Sequence, residues 1–274
     1  MSGKFDILIV GGGPAGISAA LTARNRGKNV GIIKNPAETS NLHKAERISN
    51  YPGMTLSGAE MIESFTNQLN ECGAEIIEGK ALSIMPLGKS IGVAVGNDFY
   101  ESTSVIVCTG MGRRPICDGE TAFLGRGVSY CATCDGMLYK GKNVAVIGDS
   151  AEAKEDAEFL RSIGCNVECF TGREKFEISG GMKADTLTVN GKEYKTDCIF
   201  ILKESLSAES LVPGAKCVGG RFEVNRKQKT GIDGIFAAGD CTGAPYQLAK
   251  AVGEGNVAAL SACDYISEIS KGEK

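Results

Sequence analysis

Phe5-Asp6-Ile7-Leu8-Ile9-Val10-Gly11-Gly12-Gly13-Pro14-Ala15-Gly16 decides the fold. A continuous β-prone run ends in glycines and gives way to the helical stretch Gly16 to Gly27, and a second strand follows at Asn29–Lys34. Gly11, Gly13 and Gly16 form G-x-G-x-x-G between strand and helix. In that pattern the first glycine makes the tight turn, the second lets the backbone approach a pyrophosphate, and the third packs helix on strand. The helix N-terminus then faces the anion. Alone the pattern is weak; between a strand and a helix it is strong. The acid expected on the ribose at the end of the second strand is absent, because Lys34 follows Ile33 and the nearest carboxylate is Glu38. The ribose contact stays open.

The same grammar returns at Asn143–Ile147, Gly148, a helix over Glu152–Ile163 and a strand over Asn166–Thr171. Two such openings imply an α/β protein with two Rossmann-like dinucleotide-binding-type domains. The C-terminal stretch is too short to stand alone, so it returns to the first domain and makes the second an insertion. The expected division is 1–112 with 206–274 around an inserted, degenerate 113–205.

Composition narrows the class. The chain has 274 residues, 42% of them hydrophobic, a net charge of −3 and a single His. Nothing in that balance points to nucleic acid or a membrane surface. No basic region followed by an apolar stretch opens the sequence and no run is long enough to span a bilayer, so a cytoplasmic protein without a leader is expected. Eleven cysteines in that context read as reduced thiols. Nine of them, including Cys108, Cys165, Cys169, Cys198 and Cys263, are expected to be structural, since a free Cys packs like a small hydrophobe.

The other two stand in Cys131-Ala132-Thr133-Cys134-Asp135. C-x-x-C brings two thiols close enough for a small-loop disulfide, and such pairs commonly hold one thiol at a lowered pKa. A half zinc site would need a second ligand pair, and the only His is His43. Asp135 has two readings, a proton shuttle for the departing thiol and a helix N-cap.

Three further segments carry a resemblance. Gly231-Ile232-Asp233-Gly234-Ile235-Phe236-Ala237-Ala238-Gly239-Asp240 resembles the flavin-binding signature of two-dinucleotide-fold flavoproteins, and Val105-Ile106-Val107-Cys108-Thr109-Gly110 resembles the strand that precedes their domain crossover. Gly127-Val128-Ser129-Tyr130-Cys131-Ala132-Thr133-Cys134-Asp135-Gly136 is similar to the active-site block of low-molecular-weight thioredoxin reductases, with a likeness that runs along nearly the whole chain. It includes Asn50-Tyr51-Pro52-Gly53 and Gln247-Leu248 followed by Ala251, Gly253 and Gly255. The resemblance implies FAD held by Gly11, Gly13, Pro14, Ala15, Gly16, Asn50, Thr109, Gly110, Gly239, Asp240, Gln247 and Leu248. It also implies Cys134 as the thiol nearest the flavin, Cys131 as the one that attacks a partner disulfide, and Asp135 as acid-base residue. Tyr246 stands where the family has an arginine.

Members of that family bind NADPH on the second glycine loop. Here it reads Ile147-Gly148-Asp149-Ser150-Ala151-Glu152, with one glycine of three kept and two carboxylates added. A carboxylate about 4 Å from a phosphate costs on the order of 1–4 kcal/mol at effective dielectrics of 80 to 20. Phe170-Thr171-Gly172-Arg173 replaces the family's His-Arg-Arg for the 2′-phosphate, Glu177 stands where another arginine is expected, and Lys203-Glu204-Ser205 replaces a glycine-bearing turn. The pattern is similar to the ferredoxin-dependent flavin thioredoxin reductases. It implies a homodimer that passes electrons from ferredoxin through FAD to the Cys131–Cys134 disulfide and on to thioredoxin. Arg113, Arg114, Lys140 and Lys142 are candidates for a basic docking patch. The alternatives are an NADPH- or NADH-linked reductase, a diflavin enzyme with a second flavin in the damaged site, and a non-enzymatic flavin redox sensor.

Overall fold

The structure is a computed structural model that describes residues 4–35, 41–110, 116–120, 122–130, 132–171, 173–202 and 208–272. The chain forms two compact units, Met1–Gly112 with Ala208–Lys274, and Arg113–Ser207.

The first segment builds a strand β1 (Lys4–Val10), helix α1 (Pro14–Asn25) and strand β2 (Val30–Lys34). A small hairpin β3 (Ile48–Tyr51) and β4 (Met54–Leu56) follows, then helix α2 (Gly58–Glu71), whose start Ser57 and Glu60 close reciprocally. Next come β5 (Glu75–Glu78), β6 (Ala81–Leu87), β7 (Ser90–Val95) and β8 (Asp98–Val107). Helix α1 thus begins at Pro14, earlier than the sequence pattern suggested. Proline suits a first helical position, where its missing N–H costs nothing.

The inserted unit opens on β9 (Val128–Ser129), a short helix α3 (Ala132–Asp135), β10 (Asn143–Ile147), helix α4 (Ala151–Ser162) and β11 (Asn166–Phe170). A meander follows of β12 (Phe176–Gly180), β13 (Ala184–Val189) and β14 (Lys192–Lys195), then β15 (Cys198–Ile201). Its parallel sheet runs β11-β10-β15-β9 beside the antiparallel β12-β13-β14. Both βαβ openings therefore exist as parallel units.

The chain then returns to the first unit with α5 (Ala208–Leu211), the ribbon β16 (Cys217–Val218) and β17 (Arg221–Phe222), β18 (Ile235–Ala237) and the long helix α6 (Leu248–Gly272). The main sheet runs β5-β2-β1-β8-β7-β6. The long β8 pairs β1 along one edge, and along the other pairs β7 over Asp98–Ser102 and β18 over Val105–Val107. That register sets the end of β18, and with it Gly239-Asp240, beside the ends of β1 and β8. Helices α1 and α6 pack together through small residues, with Ala15, Ala19, Ala20, Ala23, Ala251, Ala258, Ala259 and Ala262 in one buried cluster. Among the described residues no helix is long and apolar enough to cross a membrane.

The tightest point of that packing is Gly255, where a Cβ would collide with the backbone carbonyl of Ala15. Overpacking of this kind costs about 1–3 kcal/mol when neighbours must shift. Gly255→Ala is expected to lower the melting temperature by several degrees, as followed by circular dichroism; an unchanged value would show that the two helices have room to spare.

Candidate functional site

The first glycine loop is shaped by backbone-to-backbone approach. Gly11 has φ +115°, and a Cβ there would run into the carbonyl of Cys108; a Cβ on Gly16 would run into the carbonyl of Gly11. A Cβ on Gly13 would meet nothing, so the space in front of the helix start is open. Gly13 is the N-cap of α1 and no side chain caps the helix there. Uncapped amides at the positive end of a helix, facing open space, fit the pyrophosphate of a dinucleotide. Lys34 takes the place of the expected ribose acid, and its aliphatic stem lies against Gly12. Glu38 lies outside the described residues.

The other proposed flavin contacts gather in the same unit. Thr109 and Gly110, the latter at φ +71°, leave the end of β8, whose Cys108 amide donates to the Val10 carbonyl at 2.7 Å. Asn50 Nδ2 donates to Gln247 Oε1 at 2.8 Å, so two residues far apart in sequence meet. Leu248 begins α6. Asp240 opens a 3-10 turn, Asp240–Thr242; it is half-buried, and desolvation pushes its carboxyl above the usual range against the opposing pull of Lys250.

Two residues not singled out from the sequence hold that turn. Lys250 Nζ donates to the carbonyls of Gly239 at 3.0 Å and Gly243 at 2.7 Å, and to Thr242 Oγ1 at 3.0 Å. Glu254, 3.1 Å from Lys250 Nζ, accepts from the Gly239 amide and Thr242 Oγ1, both at 2.9 Å. Both side chains are mostly buried, 15% and 19% exposed, which separates this pair from an ordinary surface ion pair of little energetic weight. The sequence signal was a lysine and a glutamate one helical turn apart.

In the inserted unit Cys131 and the side chain of Cys134 lie outside the described residues, as do Arg113, Arg114 and the segment from Lys203 to Ser205. What surrounds the dithiol is described. Asp135 accepts from Ser129 Oγ at 2.7 Å and makes no capping hydrogen bond to the turn Gly136–Tyr139 that follows it. The capping reading of Asp135 is thus replaced by a side-chain partner on β9. Tyr130, which directly precedes Cys131, donates its hydroxyl to Glu120 Oε1 at 2.8 Å. Glu120 is 1% exposed, and its other oxygen accepts from the Ile116 amide at 2.6 Å. A carboxylate buried this deeply persists only where its lone pairs are met.

The second glycine loop differs from the first. Ser150 caps α4, its Oγ accepting from the Ala153 amide at 3.1 Å. Arg173, the one cation kept from the expected phosphate set, has Nη2 3.0 Å from Asp149 Oδ2. In the turn after β11 the amides of Thr171 and Arg173 donate to the Glu174 carboxylate at 3.3 and 3.0 Å, and Thr171 Oγ1 adds a third bond at 3.0 Å. Glu174's own backbone amide, then Thr171 and Arg173, hold its carboxyl below the usual range. Glu177, singled out from the sequence, lies on β12 at the start of the meander. The carboxylate that fills the turn is Glu174.

Five of the nine described free thiols are buried: Cys108, Cys165, Cys198, Cys241 and Cys263. Cys169 departs from the expected core role. It lies exposed on the edge strand β11, where Arg161 Nη2 donates to its sulfur at 3.2 Å.

Comparison with known proteins returns one consistent set. Residues 5–183 match the family described as Pyridine nucleotide-disulphide oxidoreductase. The thioredoxin reductase of Bacillus subtilis is 28% identical, the match covering 97% of this chain and 96% of the relative. Among solved structures, a ferredoxin-flavin thioredoxin reductase from Clostridium acetobutylicum superposes with a TM-score of 0.87 at 38% identity, covering 98% of this chain and 99% of that one. A thioredoxin reductase from Gloeobacter violaceus gives 0.77 at 26% identity, covering 97% and 95%.

The Lys250–Glu254 clamp can be tested through cofactor retention. Hydrogen bonds to a charged group contribute about 1.5–3 kcal/mol each, so Lys250→Met is expected to raise the flavin dissociation constant by roughly tenfold or more. The readout is the ratio of flavin to protein absorbance after gel filtration. Full retention would mean that the turn keeps its shape without the clamp.

Proposed function

The chain belongs to the pyridine nucleotide-disulphide oxidoreductase family, and from that premise we propose that this flavin-dependent thioredoxin reductase takes its electrons from reduced ferredoxin. FAD is the cofactor, and it accepts electrons singly or in pairs. The reading rests on the contrast between the two helix starts. The first is uncapped and open. The second is capped by Ser150, its loop carboxylate Asp149 engages Arg173, and the neighbouring amides are taken by Glu174. A nicotinamide dinucleotide would have to displace these partners and face their charges, whereas a protein that delivers single electrons needs no such site. The ferredoxin-flavin thioredoxin reductase of Clostridium acetobutylicum supports the same donor by similarity.

In this reading the flavin is held in the first unit by Gly11, Gly13, Pro14, Ala15, Gly16, Asn50, Thr109, Gly110, Gly239, Asp240, Gln247 and Leu248, and the inserted unit carries the dithiol. Two reduced ferredoxins give up one electron each and two protons enter from water. The S–S bond between Cys131 and Cys134 breaks, leaving two thiols. Cys131 as thiolate then attacks the thioredoxin disulfide to form a mixed disulfide, which Cys134 resolves. Asp135, held by Ser129, moves the proton at the Cys134 sulfur. The same reading carries a cytoplasmic homodimer.

Anaerobic titration followed at the flavin band tests the donor. Reduced ferredoxin is expected to bleach the band fully at four electrons per chain, two for the disulfide and two for the flavin, with NADPH and NADH leaving it unchanged over minutes; prompt bleaching by micromolar NADPH would restore the nucleotide-linked reading. Ser129→Ala is expected to slow thioredoxin reduction about fivefold to tenfold, the scale of one lost hydrogen bond, while flavin content and flavin reduction stay as in the wild type. Equal stopped-flow rates for the two proteins would remove Ser129 and Asp135 from the exchange step.

A further inference from the structure

Resting on the ferredoxin reading, we propose that the surface around Val218, the half-buried Arg221 and Tyr246, with Lys216, Arg226 and Lys227 exposed on the same segment, is where a small acidic iron–sulfur protein docks. Electron tunnelling weakens steeply with distance, so such a donor must sit close to the turn that holds the flavin. This face does. The strand β17 packs on the Asp240–Thr242 turn, and Tyr246 directly precedes Gln247, whose side chain meets Asn50.

The local charge runs opposite to that of the whole chain. From Lys216 to Asp233 the chain carries five cations (Lys216, Arg221, Arg226, Lys227, Lys229) against Glu223 and Asp233, in a protein of net charge −3. Lys229 pairs with Asp233 at 3.0 Å, while Lys216, Arg226 and Lys227 lie exposed along the ribbon and the turn after it. Val218 stands opposite Arg221 in the β16–β17 register, so the two side chains share a face of the ribbon. Val218 is 71% exposed and Tyr246 43%, both large apolar groups left at the surface. The Arg221 guanidinium carbon lies 5.2 Å from the centroid of the Tyr246 ring, near enough for a cation–π contact. The departure from the family's arginine at Tyr246 is therefore answered in space by a guanidinium from another segment. An apolar centre with a cationic rim suits a transient encounter with an acidic partner, where charge sets orientation and rate more than affinity. By contrast, Lys140 and Lys142 belong to the inserted unit, and the Lys142 ammonium lies 5.6 Å from the Tyr139 ring centroid.

The test uses the flavin-loaded full chain, the double variant Arg226→Glu/Lys227→Glu, and Val218→Asp as an independent probe of the apolar centre. A two-cluster bacterial ferredoxin serves as partner, reduced photochemically for stopped-flow flavin reduction and oxidised for isothermal titration calorimetry. At low ionic strength each variant is expected to show a second-order rate constant about tenfold or more lower and a dissociation constant about tenfold or more higher. For the double variant the gap should close as salt shortens the Debye length to about 3 Å near 1 M. Reduction by dithionite and the melting temperature should match the wild type. Unchanged rate and affinity in both variants would place the donor elsewhere and overturn the proposal. A changed sedimentation coefficient in either variant would assign the face to a second copy of the chain and overturn it too. A wild-type flavin that reduced ferredoxin fails to bleach would bring down the donor reading itself, and this surface with it.

Discussion

Backbone meeting backbone without an intervening side chain is the constraint on which the first unit depends. Gly11 lies on the carbonyl of Cys108, Gly16 on that of Gly11, and Gly255 on that of Ala15. The first contact turns the chain sharply off β1, the second seats α1 on the sheet, and the third lets α6 lie along α1. Only then does the first turn of α6 reach the end of β18, where Lys250 and Glu254 can grip both sides of the Gly239–Gly243 turn. A loop near the start of the chain and a turn near its end become one cradle because no Cβ intervenes at three places.

The inserted unit shows the same strand–loop–helix form with its electrostatic purpose reversed. In the first loop the helix start offers unsatisfied donors to whatever anion enters. In the second the chain supplies its own acceptors, Ser150 at the helix start and Glu174 in the next turn. The fold keeps a full hydrophobic core, with Ala145, Ile147, Ile199 and Ile201 buried, so the βαβ frame stands whatever its loops carry. Fold and binding are separable here because packing is set by strand interiors and binding by loop tips.

Much of this was legible in the sequence where a residue's role is local. A glycine loop between a strand and a helix announces itself, as does Cys131-Ala132-Thr133-Cys134-Asp135, because neighbours in sequence are neighbours in space. The rest depends on tertiary distance. Lys250 and Glu254 read as one more solvated i,i+4 pair until β18 brings a turn beneath them. Glu120 reads as a loop carboxylate until Tyr130 and the Ile116 amide close over it. Glu177 stands out by its place in the sequence, and the structure sets it on a strand while the unremarked Glu174 folds back into the turn. Position along a chain predicts neither case, since one residue of offset changes which side of a strand or turn a charge occupies.

Burial also has a consequence for the many sulfurs. Desolvation pushes the thiols of Cys198 and Cys241 up to about 12 and that of Cys108 well above its ordinary value. Exchange proceeds through the thiolate, so at neutral pH these groups are chemically mute although they sit in a protein whose trade is sulfur chemistry. These three sulfurs serve packing and stand aside from exchange.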